Sequence, residues 1–190
     1  MEKQGKEVKS YAEKLKQGLG QTSARVEMCK EMADQEARKG HVIVRGVEES
    51  EAESGEERKS HDIKCVQSIC RNIDLDFEEG AIKAARRLGK QSSEKKYRPL
   101  LIKVDEQLRE KMIYCKSRLR KLNEEQDTRY RFDPDLTQAQ QEQYNRLWEE
   151  ANCRNRTSKN GVRWVVWGPR ENPWLKRWED RKESTQEERK

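Results

Sequence analysis

The sequence predicts an α+β protein, and three observations carry that expectation. Two short apolar runs, His41 to Val47 and Pro99 to Val104, have the length and the residue types of strands. Between them Ile63, Val66, Ile69, Cys70 and Ile73 fall on one stripe at helical spacing. Polar or glycine-containing stretches bound each block, so the order β-α-β-β-α reads off directly.

Residues 1–40 read as a charged helix. Val8, Ala12, Leu15, Leu19, Thr22, Val26, Cys29 and Ala33 recur at alternating spacings of four and three, the seam of a weak coiled coil. Ala, Thr and Cys are poor knobs, and Gly18 and Gly20 each cost about 1 kcal/mol inside a helix. A solvated tail is therefore the competing reading. The first strand follows, then an acidic loop from Glu48 to Gly55. Ser54 and Glu57 have capping-box spacing and start the first helix of the domain. That helix ends at Asn72-Ile73-Asp74-Leu75-Asp76, and Phe77 and Ile82 lead into a second strand within Ala81 to Lys90. Gln91 to Glu94 is a polar turn before the third strand. Asp105 caps a second helix with the stripe Leu108, Met112, Cys115 and Leu119. Lys121 to Thr128 reads as a loop and Tyr130 to Phe132 as a short fourth strand.

A new unit begins at Pro134. Thr137 and Gln140 form a capping box, and Tyr144, Leu147, Trp148 and Ala151 line one face of a third helix. Asn160-Gly161 is a tight-turn signal, Val162 to Trp167 a strand, and Gly168-Pro169 its stop. Trp174 and Trp178 stand four apart, the spacing of a helical turn. The reading divides the chain into a helical segment (1–40), a sheet domain with two helices (41–132), a small helix-plus-strand domain (133–170) and a charged tail (171–190).

Composition narrows the function. Only 32% of the residues are apolar and 41% are charged, which excludes one large core. The net charge of +6 is modest, but its distribution is not. Eight Lys or Arg and one acid, Glu94, lie between Lys83 and Lys103, whereas six Glu lie between Glu48 and Glu57. A basic hairpin points to a polyanion, with a merely solvated face as the bland alternative. Five widely spaced cysteines without C-x-x-C spacing read as reduced structural thiols in an intracellular protein. No apolar run approaches ~18 residues, so no membrane span is expected. No signal-peptide core follows Met1 either.

The β-α-β-β-α order is most of the plan of an RNA-recognition-motif sheet, in a non-standard form. Such sheets present rings for base stacking. Here alternation turns Val42, Val44, Leu100, Ile102 and Val104 toward the helices. Ile43, Arg45, Leu101 and Lys103 are left on the open face without a ring. Contact should then be electrostatic, through Arg45, Lys83, Arg86, Arg87, Lys90, Lys95, Lys96, Arg98 and Lys103. Alternation allows only one of Arg86 and Arg87 on that face. Tyr97 is the best placed ring for stacking, or it packs on the hairpin. In the C-terminal unit Arg146 and Arg163 are the basic candidates. Trp164, Trp167, Trp174 and Trp178 are interleaved with Arg163, Arg170, Lys176, Arg177 and Arg181, a pattern suited to single strands. One of Trp164 and Trp167 should face the core and the other outward.

Enzyme signals are absent: there is no phosphate-cradling glycine loop, no metal-ligand spacing and no nucleophile–histidine set. No cofactor, metal or small-molecule substrate is expected. His61-Asp62 reads as surface and cap chemistry.

Four blocks occur in order: Val42-Ile43-Val44-Arg45-Gly46-Val47 with its acidic loop, Arg86-Arg87-Leu88-Gly89-Lys90, Arg98 to Val104, and Asp133-Pro134-Asp135-Leu136-Thr137. Over about residues 41–170 the chain resembles the first-open-reading-frame protein of LINE-type (non-LTR) retrotransposons. The resemblance implies a chaperone that coats RNA and single-stranded DNA in a cytoplasmic or nuclear ribonucleoprotein and oligomerises through a coiled coil. Relatives in that pattern carry a basic residue after the Asp-Leu-Thr turn, where Gln138, Gln140 and Gln141 stand here. The short, interrupted seam makes the expected self-association weak. The alternative is a protein-interaction module in which the basic hairpin only confers solubility.

Overall fold

The computed structural model describes residues 23–78, 80–90, 97–158 and 162–179. The expected seam positions Val8 to Thr22, the turn Gln91 to Glu94, and the tail beyond Glu179 lie outside them. The chain divides into compact units between Arg38 and Lys39. In the first, residues 23–38 form a helix, α1, on which Val26, Cys29 and Ala33 are exposed.

The second unit begins with β1 (His41–Arg45), α2 (Gly55–Asn72), β2 (Ala84–Arg87), β3 (Leu100–Lys103), α3 (Glu106–Tyr114), α4 (Lys116–Gln126) and β4 (Arg131–Pro134). The strands pair antiparallel in the order β2-β3-β1-β4. The alternation expected in β1 and β3 holds. Val42, Val44, Leu100 and Ile102 are fully buried and join Val66, Ile69, Cys70, Met112, Leu119 and Phe132 in one core. Leu101 points the other way; it is 5% exposed yet outside that core. Burial pushes the Cys70 thiol up to about 12, so this cysteine packs as a small hydrophobe.

Local chemistry sets the boundaries. Ser54 Oγ accepts from Glu56 N to open α2, and Asp105 accepts from Leu108 N to open α3. The second helix of the domain departs from expectation. It breaks at Cys115, and Lys121 to Gln126, read as loop, is the last part of α4. The run is polar, but Leu122 joins Leu119 in the core, and one buried leucine per turn is enough to hold the helix down. Asp127 then takes φ 49°, the left-handed stop. Just beyond it the Asn123 amide donates to Tyr130 O (2.9 Å) and accepts from Tyr130 N (2.9 Å) and Thr128 Oγ1 (2.9 Å). At the same end of the β1–β4 ladder, Gly46 has φ +86°, and a Cβ there would stand 2.6 Å from Arg129 O.

α5 (Gln138–Thr157) opens with the full capping box of Thr137 and Gln140. It carries a two-stranded hairpin, β5 (Val162–Trp167) and β6 (Trp174–Glu179). Trp174 to Trp178 is therefore strand and not a helical turn. Its register with β5 satisfies the backbone that a lone turn of helix would leave unpaired. The C-terminal part belongs to the same compact unit as the sheet. Arg109 pairs with Glu171, and Gln140 Nε2 donates to Glu171 O (3.4 Å).

The most connected side chain is Arg87. All five of its N–H donors are filled: Nε and Nη2 grip Asp62 at 3.1 and 2.6 Å. Nη1 donates to Val47 O and Arg98 O (both 2.8 Å), and Nη2 also reaches Glu48 O (2.7 Å). The pair is 9% and 8% exposed, so Asp62 is an interior carboxylate, where surface or cap chemistry was expected. Arg87→Ala would strand that carboxylate and three carbonyls, and should cost about 3–5 kcal/mol of stability. Urea unfolding of the full chain checks this; a loss under about 1 kcal/mol would refute the anchoring role.

Candidate nucleic-acid interface

The outer face of the sheet follows from the register. One row runs Arg86, Leu101, Ile43, Asp133, and the next runs Ala84, Lys103, His41. Arg45 and Arg131 are paired beside them. The face is therefore apolar at its centre and cationic around it, and the imidazole of His41 is the one ring in these rows. The His41 ring is held by Asp135 at 3.0 Å.

Asp133 organises one end. It accepts from Arg131 Nε (2.7 Å), Arg45 Nε (3.2 Å) and Arg170 Nη1 (3.4 Å). Three guanidiniums on one carboxylate leave a surplus of two charges. The side chains of Arg45 and Arg131 stay 45% and 60% exposed. Each engages Asp133 through Nε, which leaves the forked end of the guanidinium to recognise another oxyanion. Arg170 also lies over the Tyr144 ring, 4.6 Å from its centroid.

Past Asp133 the face continues into a groove of about 580 Å³ between β4, the α3–α4 region and the C-terminal part. Lys116, Arg120, Arg131 and Arg170 line it, together with the rings of Tyr114, Tyr130 and Tyr144. Sequence reading did not single out Lys116, Arg120 or Arg131, and had Arg170 only among the cations interleaved with the C-terminal tryptophans. Alternation through Phe132 carried a signal for Arg131, since an inward Phe132 sends Arg131 outward. Lys116 carried none, because the helix break that places it was not legible, and the pattern that held Arg170 gave no sign of the turn that brings it to Asp133.

Of the residues read from sequence, Arg45, Arg86 and Lys103 share the outer face and are exposed. Lys83 and Lys90 are exposed at either end of β2, and Arg146 is exposed on α5. Arg163 is exposed on the β5–β6 hairpin. Lys95 and Lys96 lie outside the described residues. Arg87 and Arg98 stand apart from this group because each is paired with a carboxylate of the protein itself. Arg87 is anchored on Asp62. Arg98 donates Nε and Nη2 to Glu49 at 2.9 and 2.6 Å and Nη1 to Gly89 O at 3.0 Å. The Arg98 amide reaches Glu49 as well, at 3.0 Å. Tyr97 is half exposed and its hydroxyl donates to Glu48 (3.0 Å). The acidic loop thus folds over the third strand's approach, where Glu49 neutralises Arg98 and Glu48 holds the Tyr97 hydroxyl. Among the described residues no cluster of His, Cys, Asp and Glu is arranged to hold a metal ion. None of the described helices is long and apolar enough to cross a membrane.

No protein-family model matches the chain, and no curated protein matches it either.

The hydrogen bonds from Arg98 hold the Glu49 carboxyl below the ordinary glutamate range, against a smaller opposing effect of burial. A depressed folded-state value means the contribution is complete above the ordinary glutamate value and disappears as pH falls through the folded one. Glu49→Gln should therefore be about 1–2 kcal/mol less stable than the parent at neutral pH. The two unfolding curves should converge as the pH drops below the carboxylate range. Thermal melts across acid pH measure this, and a constant gap down to the lowest pH would contradict it.

Proposed function

We propose that this chain is a sequence-tolerant RNA- and single-stranded-DNA-binding protein, a nucleic-acid chaperone derived from a LINE-type retrotransposon, with no bond chemistry of its own. The observation that carries this reading is the cationic outer sheet face, which has no Phe, Tyr or Trp. There Arg45, Arg86, Lys103 and Arg131 are exposed together and run on into the groove beside Arg170. Cations at this density meet a phosphate backbone, and with no Phe, Tyr or Trp on the sheet face to stack bases they register charge more than sequence.

The β2-β3-β1-β4 order, with its core on one face, supports treating residues 41–132 as a non-standard RNA-recognition-motif domain. The four ordered sequence blocks support the retrotransposon origin and a place in a cytoplasmic or nuclear ribonucleoprotein. Exposed Val26, Cys29 and Ala33 on α1 are compatible with weak self-association through the N-terminal helix. Chaperoning follows from contacts that are electrostatic and shallow. Phosphates are neutralised by displacing counterions, so strands approach, anneal and exchange without being locked.

Affinity for single strands should fall steeply with salt and differ little between unrelated sequences. In Arg86→Ala/Lys103→Ala, two exposed charges are lost without touching the Arg87 anchor. The logarithmic salt slope should shrink by roughly 0.7 per lost phosphate contact. Fluorescence anisotropy with two unrelated oligonucleotides over a salt series decides it. A flat salt response, or strong preference for one sequence, counts against the proposal.

A further inference from the structure

The β5–β6 hairpin has two unlike faces. The register puts Trp164 with Arg177 and Val166 with Leu175 on one side. It puts Arg163 with Trp178, Val165 with Lys176, and Trp167 with Trp174 on the other. The first side lies on α5. There Asn155 accepts from Trp164 N (2.6 Å) and donates to Trp164 O (2.8 Å), while the Arg154 guanidinium sits 4.4 Å above the Trp164 ring. One tryptophan is thereby spent on the fold, as the three-residue spacing of Trp164 and Trp167 implied.

The second side stays exposed. Trp167, Trp174 and Trp178 are 44%, 48% and 45% exposed. Three indoles left in water on one small face are an unusual outlay for a chain in which only 32% of the residues are apolar. They are also held in place. The rings of Trp167 and Trp178 stack with centroids 6.2 Å apart and planes 28° from parallel. The ammonium of Lys176 stands 4.4 Å from the Trp167 centroid. The Trp174 ring lies against the backbone of Gly168. A Cβ at Gly168 would come within 2.1 Å of Trp174 Cζ3, and φ there is +90°, so both space and conformation demand glycine. The remaining side chains of this face are Arg163, Val165 and Lys176, with no acid among them.

A rigid row of π-faces with cations and no carboxylate suits a ligand that is flat, stackable and anionic. We propose that the outer face of the β5–β6 hairpin is a stacking platform for the bases of a single strand, with Arg163 and Lys176 on the flanking phosphates. This rests on the nucleic-acid reading above and adds to it a base-dependent contribution that the sheet face lacks. Because every base offers a π-face, the platform stays indifferent to sequence.

The test compares full-length protein binding to a deoxythymidine strand and to an abasic strand of equal length and charge. The parent should prefer the base-bearing strand by roughly 10-fold or more. Trp167→Ala/Trp178→Ala should erase that preference and bind both strands as the parent binds the abasic one. Trp167→Phe/Trp178→Phe, which keeps the rings, should retain most of it, so a misfolded alanine variant cannot decide the matter alone. Equal, salt-dependent binding of both strands by the parent overturns the platform and leaves the electrostatic reading intact. Failure to bind either strand overturns both. If the parent self-associates in sedimentation and the alanine variant does not, with strand preference unchanged, the occupant is a second copy and the platform is refuted.

Discussion

The buried pair of Arg87 and Asp62 is the interaction on which the rest of the sheet domain depends. A guanidinium carrying five bonds in the interior ties the second strand to α2, to the end of β1's loop and to the approach of β3. It also fixes parity. With residue 87 committed inward, residue 86 has to project outward, because successive strand side chains alternate. The exposed cation is a consequence of the buried one.

The same logic separates cations of structure from cations of surface by stoichiometry. Arg87 meets one carboxylate, and Arg98 meets one carboxylate, and each pair is electrically closed. Asp133 meets three guanidiniums and cannot close the account. Six glutamates between Glu48 and Glu57, beside a basic hairpin, look in sequence like wholesale neutralisation. In three dimensions Glu49 takes Arg98 and Glu48 takes Tyr97, and the outer sheet face keeps its charge.

Much of this was legible in the residues. The alternation of Val42 and Val44, the Ser54 and Asp105 caps and the Thr137–Gln140 box report local physics, and local physics decided those elements. What was not legible depended on long-range partners. Leu122 makes helix of a polar run by reaching the core. Trp174 to Trp178 becomes strand because β5 offers it a ladder. Arg87 and Arg98 looked like ligand-binding residues because their partners, Asp62 and Glu49, lie 25 and 49 positions away. Arg131 was recoverable from alternation alone, whereas Arg170 was not, since nothing before the fold brings a residue after Gly168-Pro169 to β4.

The Asn123 amide has a meaning beyond the loop it stitches. β4 is an edge strand, and an edge is an open invitation to another chain's backbone. By giving Tyr130 both a donor and an acceptor, one side chain impersonates a neighbouring strand at the point where recruitment would begin. Pro134 closes the far end, having no N–H to offer. The opposite edge, β2, carries Arg86 outward and the charge of Arg87 inward. Both edges of the sheet are thus blunted against the strand of another chain.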